Sequence, residues 1–203
     1  TFSFGISRSL KGTMADVVFG DKKIQDIIVA KEGIHIAPTD ISLADAELSL
    51  ANASDRTNML RDIFQPLRGT YDFILVDCGP SLSLLTVNVL VAADEVLIPL
   101  MLEVLALQGL QLIGKTVQRI QKAFNPRLKV KGILLLMVDL RKEVTQDVYE
   151  LLLESSPYHI FKAHIEVDDR AIEAPSFGQS VISYAPNAIS AIGYLDLAME
   201  IGG

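Results

Sequence analysis

The stretch YDFILVDCGPS (71–81) runs four apolar residues, Phe73, Ile74, Leu75 and Val76, into a carboxylate and then into a Gly-Pro turn. A short, continuous, β-branched and aromatic run bounded by turn residues reads as a strand buried in a parallel sheet. An acid at the carboxyl end of such a strand points into the crevice where open α/β sheets bind ligands. Asp77 is therefore the first candidate functional residue, an oxygen donor suited to a Mg²⁺ ion that keeps several of its waters. An Asp in this place also caps the turn or helix that follows, so both roles stay open for the fragment alone. Next comes a loop in which Gly79 frees the backbone and Pro80 stiffens it. Such a loop is able to change position as a neighbouring γ-phosphate comes and goes. It serves equally as a plain strand-to-helix turn with Ser81 as the N-cap.

Outward from this stretch, apolar runs alternate with longer amphipathic segments, the pattern of βα units on a parallel sheet. Strands are expected at 34–37, 73–77, 95–100, 130–138 and 159–165, and helices at 42–68, 82–92, 107–124, 143–155 and 187–201. The opening residues, TFSFGISRSLKG, read as irregular, and no methionine precedes Thr1. No repeat or long linker interrupts the chain, so a single domain over 1–203 is expected. The fold class is α/β, a mostly parallel sheet with helices on both faces.

Composition narrows the function classes. The 203 residues are half hydrophobic, enough for a sizeable core. A lone cysteine, Cys78, excludes an internal disulfide, and no CxxC pair offers zinc-ligand spacing, which suits a reducing cytoplasm. No apolar run reaches the ~18 residues of a spanning helix, and no signal-peptide pattern opens the chain. A formal net charge of -7 opposes binding of nucleic acid by the whole surface and leaves room for a small basic patch. His35, His159 and His164 are scattered and accompanied by no G-x-S-x-G elbow, so they read as strand or loop residues with satisfied nitrogens. Cys78 has no adjacent base and reads as a small buried thiol.

A second motif competes with Asp77. The residues GLQLIGKT (109–116) match the phosphate-loop pattern G-x-x-x-x-G-K-[ST]. Yet Leu107, Leu110, Ile113, Val117, Ile120 and Phe124 recur at helical spacing straight through it. A phosphate loop follows a buried strand and is glycine-rich, so that successive N–H groups turn toward phosphate. The four residues between these glycines are helix formers. The match is read as a decoy, with Lys115 a solvated residue on an amphipathic helix.

Taken together, the blocks DCGPSLSLLTVNVLVAADEVLIPL (77–100), EVLALQGL (103–110), KGILLLMVDLR (131–141) and DRAIEAPSFGQSVISYAP (169–186) resemble the ParA/Soj partition ATPases of the deviant Walker A, MinD-like class. The likeness runs from IHIAPT (34–39) to the terminal helix, with the blocks in the family's order and spacing. It implies a P-loop NTPase-like fold of the SIMIBI class. It also implies ATP and Mg²⁺ as cofactors, with Asp77 the Walker B acid near Mg²⁺ and Gly79, Pro80 and Ser81 the switch loop. Glu103, Asp139 and Pro175 fall in blocks that face the nucleotide or the dimer seam, Asp139 and Pro175 near the adenine. Arg170 matches the basic residue associated with non-specific DNA binding; read without the resemblance, it is a surface arginine paired with Asp168 or Asp169. Asp139 and Pro175 read by themselves as a loop cap and a rigid turn.

The resemblance further implies a cytoplasmic, nucleoid-associated homodimer acting in chromosome or plasmid partitioning with a ParB-like partner protein. The family's K-G-G-x-G-K-[ST] segment and its D-x-D-P-Q strand are not among these residues, and Thr1 reads as falling just beyond them. The expectation is that these 203 residues alone neither bind nor hydrolyse ATP. The alternatives are a nucleotide-independent interaction module of the same fold and a MinD-type positioning ATPase. Against the latter, AISAIGYLDLAMEIGG (188–203) carries no Lys or Arg for a membrane surface.

Overall fold

A computed structural model describes residues 1–6, 10–50, 57–79, 83–103 and 105–202. They group into two compact units, one of residues 1–94 with 120–128 and the other of 95–119 with 129–203.

The first unit begins with a 3-10 turn, Phe2–Phe4, followed by α1 (Met14–Phe19) and α2 (Ile24–Ile27), three elements not expected from the sequence. The Thr13 N–H donates to Asp16 Oδ2 at 2.8 Å, half of a capping box that starts α1. Then β1 (Val29–Lys31) and β2 (Ile34–Ile36) pair antiparallel. Glu32 and Gly33 between them have φ of +51° and +77°, the two positive values that a two-residue hairpin turn of the right twist demands. This corrects the expectation for 34–37. The strand exists, but its ladder partner is its own neighbour, and it belongs to a hairpin.

The expected helix over 42–68 is divided into α3 (Leu43–Leu50), α4 (Met59–Phe64) and a 3-10 turn, Gln65–Leu67, at Pro66; residues 51–56 lie outside the description. Val17, Ile24, Ile27 and Leu67 are buried together, with Met14, Ile63 and Tyr71 around them. Residues 73–77 correct a second expectation, because they form no strand. Phe73 and Leu75 are 67% and 92% exposed. Hydrophobicity favours an extended run, but a strand exists only when its N–H and C=O groups find a ladder, and no described residue supplies one.

Helix α5 (Leu84–Ala92) starts at Ser83, whose Oγ accepts from the Thr86 N–H at 3.3 Å, so the cap is Ser83 in place of Ser81. At its other end, carbonyls that no intrahelical donor reaches are taken by side chains. Arg61 donates to Val91 O (2.9 Å), Arg68 to Ala92 O (3.1 Å), and Asn125 Nδ2 to Leu90 O (3.0 Å) and Ala93 O (2.7 Å).

The second unit holds the parallel sheet: β3 (Glu95–Met101), β4 (Lys129–Val138) and β5 (Ile160–Glu166) in the order β3-β4-β5. Their places match the expected strands to within a residue. The helices α6 (Ala106–Ala123) and α7 (Glu143–Ser155) connect them. Alternation along β4 assigns the faces. Ile133 and Leu135 pack with Ile98 and Leu100 of β3, Leu110 of α6 and Leu152 of α7. Leu134 joins Phe161, Ala163 and Ile165 of β5 and Leu197 of α10 (Ile189–Gly202) on the other face. Ile133 and Leu152 are fully buried, and each such side chain stabilises the sheet by about 1.5–3 kcal/mol. Between β5 and α10 come α8 (Asp169–Glu173), a 3-10 turn Ala174–Phe177 and α9 (Val181–Tyr184). Among the described residues no helix is long and apolar enough to cross a membrane.

Candidate functional site

Parallel strands all deliver the chain to the same edge of a sheet, and ligands of open α/β sheets bind there. In the second unit the segments that follow the strands carry four of the residues singled out in the sequence, Glu103, Asp139, Arg170 and Pro175. Glu103 follows the end of β3 by two residues, is exposed, and its backbone N–H donates to Met101 O at 2.9 Å. Asp139 follows β4 directly. Asp168 and Arg170 open α8 just beyond β5, and Pro175 is the second residue of the next 3-10 turn, which is capped by Gly178 with φ +65°.

Local chemistry fixes Asp139. The register of β4 on β5 slips between Leu136 and Val138, and the intervening Met137 has φ +51° and is exposed. A bulge of this kind re-aims the residues that follow it. Asp139 then accepts from Arg141 Nε at 2.7 Å and Nη2 at 3.1 Å, with Lys142 Nζ at 3.9 Å. The forked Arg141 bond holds its carboxyl below the usual carboxylate range. The D-x-R spacing in the sequence was the signal for this pair, although Arg141 was not singled out there. The backbone N–H of Arg141 also donates to Asp139 Oδ1 at 3.2 Å, so the loop-cap role is present too.

Arg170 pairs with neither of the acids suggested for it. Its guanidinium meets Glu173 Oε2 at 3.1 Å, and the Tyr184 hydroxyl donates to the same oxygen at 3.1 Å. Asp168 is engaged elsewhere. Its carboxylate accepts from the Ser190 N–H (3.1 Å) and hydroxyl (2.8 Å) and from the Arg170 N–H (2.9 Å), which caps α8 and ties it to the start of α10. The tie to Ser190 was not visible in the sequence, because Ser190 is remote along the chain.

Asp77 lies in the first unit, on a segment that forms neither helix nor strand, and is exposed. It makes no hydrogen bond or ion pair with another described residue. A single solvent-facing carboxylate with no cation partner fits Mg²⁺, which takes one or two carboxylates and fills its octahedron with water and phosphate. Among the described residues no group of three or more His, Cys, Asp or Glu side chains is placed around a metal. At Gly79 a Cβ would meet nothing within 4 Å, while Pro80 and Ser81 lie outside the described residues. Cys78 is exposed, correcting the expectation of a buried thiol. Partial desolvation, and then the Asp77 charge, push its pKa up, which disfavours a thiolate nucleophile. The histidine nitrogens meet Tyr71 Oη (His35, 2.8 Å), Glu200 (His159, 3.5 Å) and the Lys162 carbonyl (His164, 3.2 Å).

GLQLIGKT lies inside α6, where the Gly109 N–H is bonded to Leu105 O at 3.1 Å and is not available to phosphate. Its second glycine has a packing reason. A Cβ on Gly114 would stand 2.6 Å from the Tyr158 hydroxyl. Lys115 is exposed, as the decoy reading requires.

A parallel sheet covered by helices on both faces, with acids set beyond the carboxyl ends of its strands, makes this an α/β protein, and the solved structures that it matches place it in the P-loop NTPase-like class. Solved structures share that fold. MinD from Pyrococcus horikoshii, complexed with Mg-ADP, superposes with a TM-score of 0.76 at 23% identity over 98% of this chain and 76% of that one. Cobyrinic acid a,c-diamide synthase from Mycobacterium smegmatis, with a bound ATP analog and magnesium, gives 0.75 at 29% identity over 87% and 75%. In sequence, the model of an AAA domain matches residues 1–130. The chromosome partitioning protein ParA of Caulobacter vibrioides is 36% identical over 97% of this chain and 76% of its own length. The sporulation initiation inhibitor protein Soj of Bacillus subtilis is 36% identical over 99% and 81%. The chain belongs to the ParA/Soj family.

Proposed function

We propose that this chain is the nucleotide-switch component of a ParA-type partition system, an ATPase when its phosphate-binding loop is present. The observation that carries the reading is the position of Glu103, Asp139, Arg170 and Pro175 in the segments that follow β3, β4 and β5, in a chain 36% identical to ParA and Soj. Asp77 would hold the Mg²⁺ ion, which would neutralise charge on the phosphates. Bound Mg-ATP supplies the phosphoryl group that water attacks, and positioning with electrostatic stabilisation does the catalysis. Gly79, Pro80 and Ser81 form the loop that responds to the γ-phosphate, while Asp139 and Pro175 border the adenine. Glu103 faces the nucleotide or the seam of a homodimer. Arg170 contacts DNA phosphates without sequence preference, and a ParB-like protein stimulates turnover at the nucleoid in the cytoplasm.

The 203 residues by themselves hydrolyse no ATP, because their one G-x-x-x-x-G-K-T match is helical. Calorimetry with Mg-ATP on this chain, beside a version carrying a K-G-G-x-G-K-[ST] strand-and-loop segment ahead of Thr1, tests the reading. Binding and turnover are expected only in the extended version, and Asp77→Ala is expected to remove turnover there. Turnover by the 203-residue chain that Asp77→Ala abolishes would defeat the proposal. A nucleotide-independent interaction module is the second reading, favoured by the helical GLQLIGKT segment; it is supported if the extended version also binds no nucleotide. Helix α10 carries no cation, which does not favour a MinD-type membrane surface.

A further inference from the structure

The inward side of α6 is built from Ala106, Leu110, Val117 and Ile120, all buried. Its outward side is unusual for a solvated helix. Leu112, and Leu105 immediately ahead of the helix, whose carbonyl accepts the Gly109 N–H at 3.1 Å, are both 67% exposed. Seven residues make two turns, so Leu105, Leu112 and Arg119 fall in one line, and Gln108, Lys115 and Lys122 in the adjoining one. Lys115, Arg119 and Lys122 are exposed and meet no acid among the described residues. The wider segment 104–138 adds Arg127, Lys129 and Lys131, contains no Asp or Glu, and yet belongs to a chain of net charge -7. Among the described residues, Lys131 is the one of these cations that is paired, with Glu95 at 3.4 Å.

We infer that the outward face of α6 is a docking surface for an acidic amphipathic helix of a protein partner. Two leucines one heptad apart form an apolar seam in the first half, and the following cations offer partners to carboxylates in the second. The face from Leu105 to Lys122 is about 25 Å long at 1.5 Å per residue, which matches a partner helix of comparable length. Charge complementarity sets the orientation: the partner's acids lie over Arg119 and Lys122, its apolar residues over Leu105 and Leu112. A nucleic acid backbone fits less well, because phosphate contacts use cations and polar groups and would leave both leucines uncovered. The inference is independent of nucleotide binding, so the two proposals fail separately.

The test uses a fluorescein-labelled synthetic helix of roughly three heptads, with leucines at seam positions in one half and glutamates in the other. Fluorescence anisotropy is measured with the full chain, beside a scrambled peptide of the same composition and a short DNA duplex. The patterned peptide is expected to bind about tenfold or more tighter than the scrambled one. Leu112→Ser and the charge reversals Lys115→Glu and Arg119→Glu are each expected to weaken it by a similar factor, and a peptide with lysines in place of its glutamates restores binding to the reversed chain. All three side chains are exposed, and unchanged circular dichroism establishes that the variants fold. No binding of the patterned peptide, equal binding of the scrambled one, or duplex DNA binding that these substitutions abolish while the peptide fails to compete would each overturn the inference.

Discussion

Gly193 of α10 lies so close to the His164 carbonyl of β5 that a Cβ added there would stand 2.5 Å from the oxygen. Helix α10 rests on the outer strand of the sheet at this point, and only a residue without a side chain allows it. Gly193→Ala should destabilise the chain by about 1–3 kcal/mol, since the obstacle is backbone and cannot rotate away. Gly202→Ala in the same helix meets nothing within 4 Å and should be neutral or slightly stabilising. Urea unfolding of the two variants against the parent chain checks the contrast.

Asp168 gives a pH-dependent contribution of known sign. The Ser190 N–H first, then the Arg170 N–H and the Ser190 hydroxyl, hold its carboxyl below the usual range. A native pKa depressed below the unfolded value of about 3.9 means that the stabilisation is present above that pH and is lost as pH falls through the native pKa. Asp168→Ala should cost about 1–2 kcal/mol at neutral pH, in line with the loss of an N-cap. The gap between parent and variant, followed by denaturant melts from pH 7 down to pH 3, should narrow at the acid end.

For Asp139 the readout is spectroscopic. In the parent chain its carboxyl carbon should titrate below the ordinary carboxylate range, because Arg141 bonds it through two nitrogens. In Arg141→Ala the NMR midpoint should move up toward about 3.9. An unchanged midpoint would mean that the pair does not form in solution.

Glu200 of α10 closes part of the outer strand. Its two oxygens accept from the Lys162 and Ala163 N–H groups, each at 3.0 Å. Glu200→Ala strips both donors of their partner at a strand edge, which should cost about 1–3 kcal/mol and promote association. Unfolding melts and light scattering at raised concentration measure the two effects.

Lys115 carries the remaining check. In a version supplied with a K-G-G-x-G-K-[ST] segment, Lys115→Ala should leave ATP affinity and turnover unchanged. A loss of affinity would return GLQLIGKT to the phosphates.

Where local pattern and long-range packing agree, the fold was legible. The three strands of the second unit and the helices α6 and α7 fell where apolar periodicity put them, because burial on both faces of a parallel sheet imprints continuous runs and two-sided alternation. Glu103, Asp139, Arg170 and Pro175 were singled out through block resemblance, and the structure places them after β3, β4 and β5. Ser190 and Tyr184 were not found, since nothing in a serine or tyrosine announces which distant carboxylate it will meet.

The sequence by itself determined the α/β class, the family, the places of the three parallel strands and the helical nature of GLQLIGKT, all of which follow from period, composition and block order. Only the tertiary structure decided pairing. Residues 73–77 have the composition of a buried strand and form none, because a ladder needs a second chain segment that composition does not name. Residues 34–36 pair with 29–31 because Glu32 and Gly33 accept positive φ. Arg170 takes Glu173 because Asp168 is already held by Ser190 from α10, and because adjacent residues on a helix, such as Asp169 and Arg170, do not face each other.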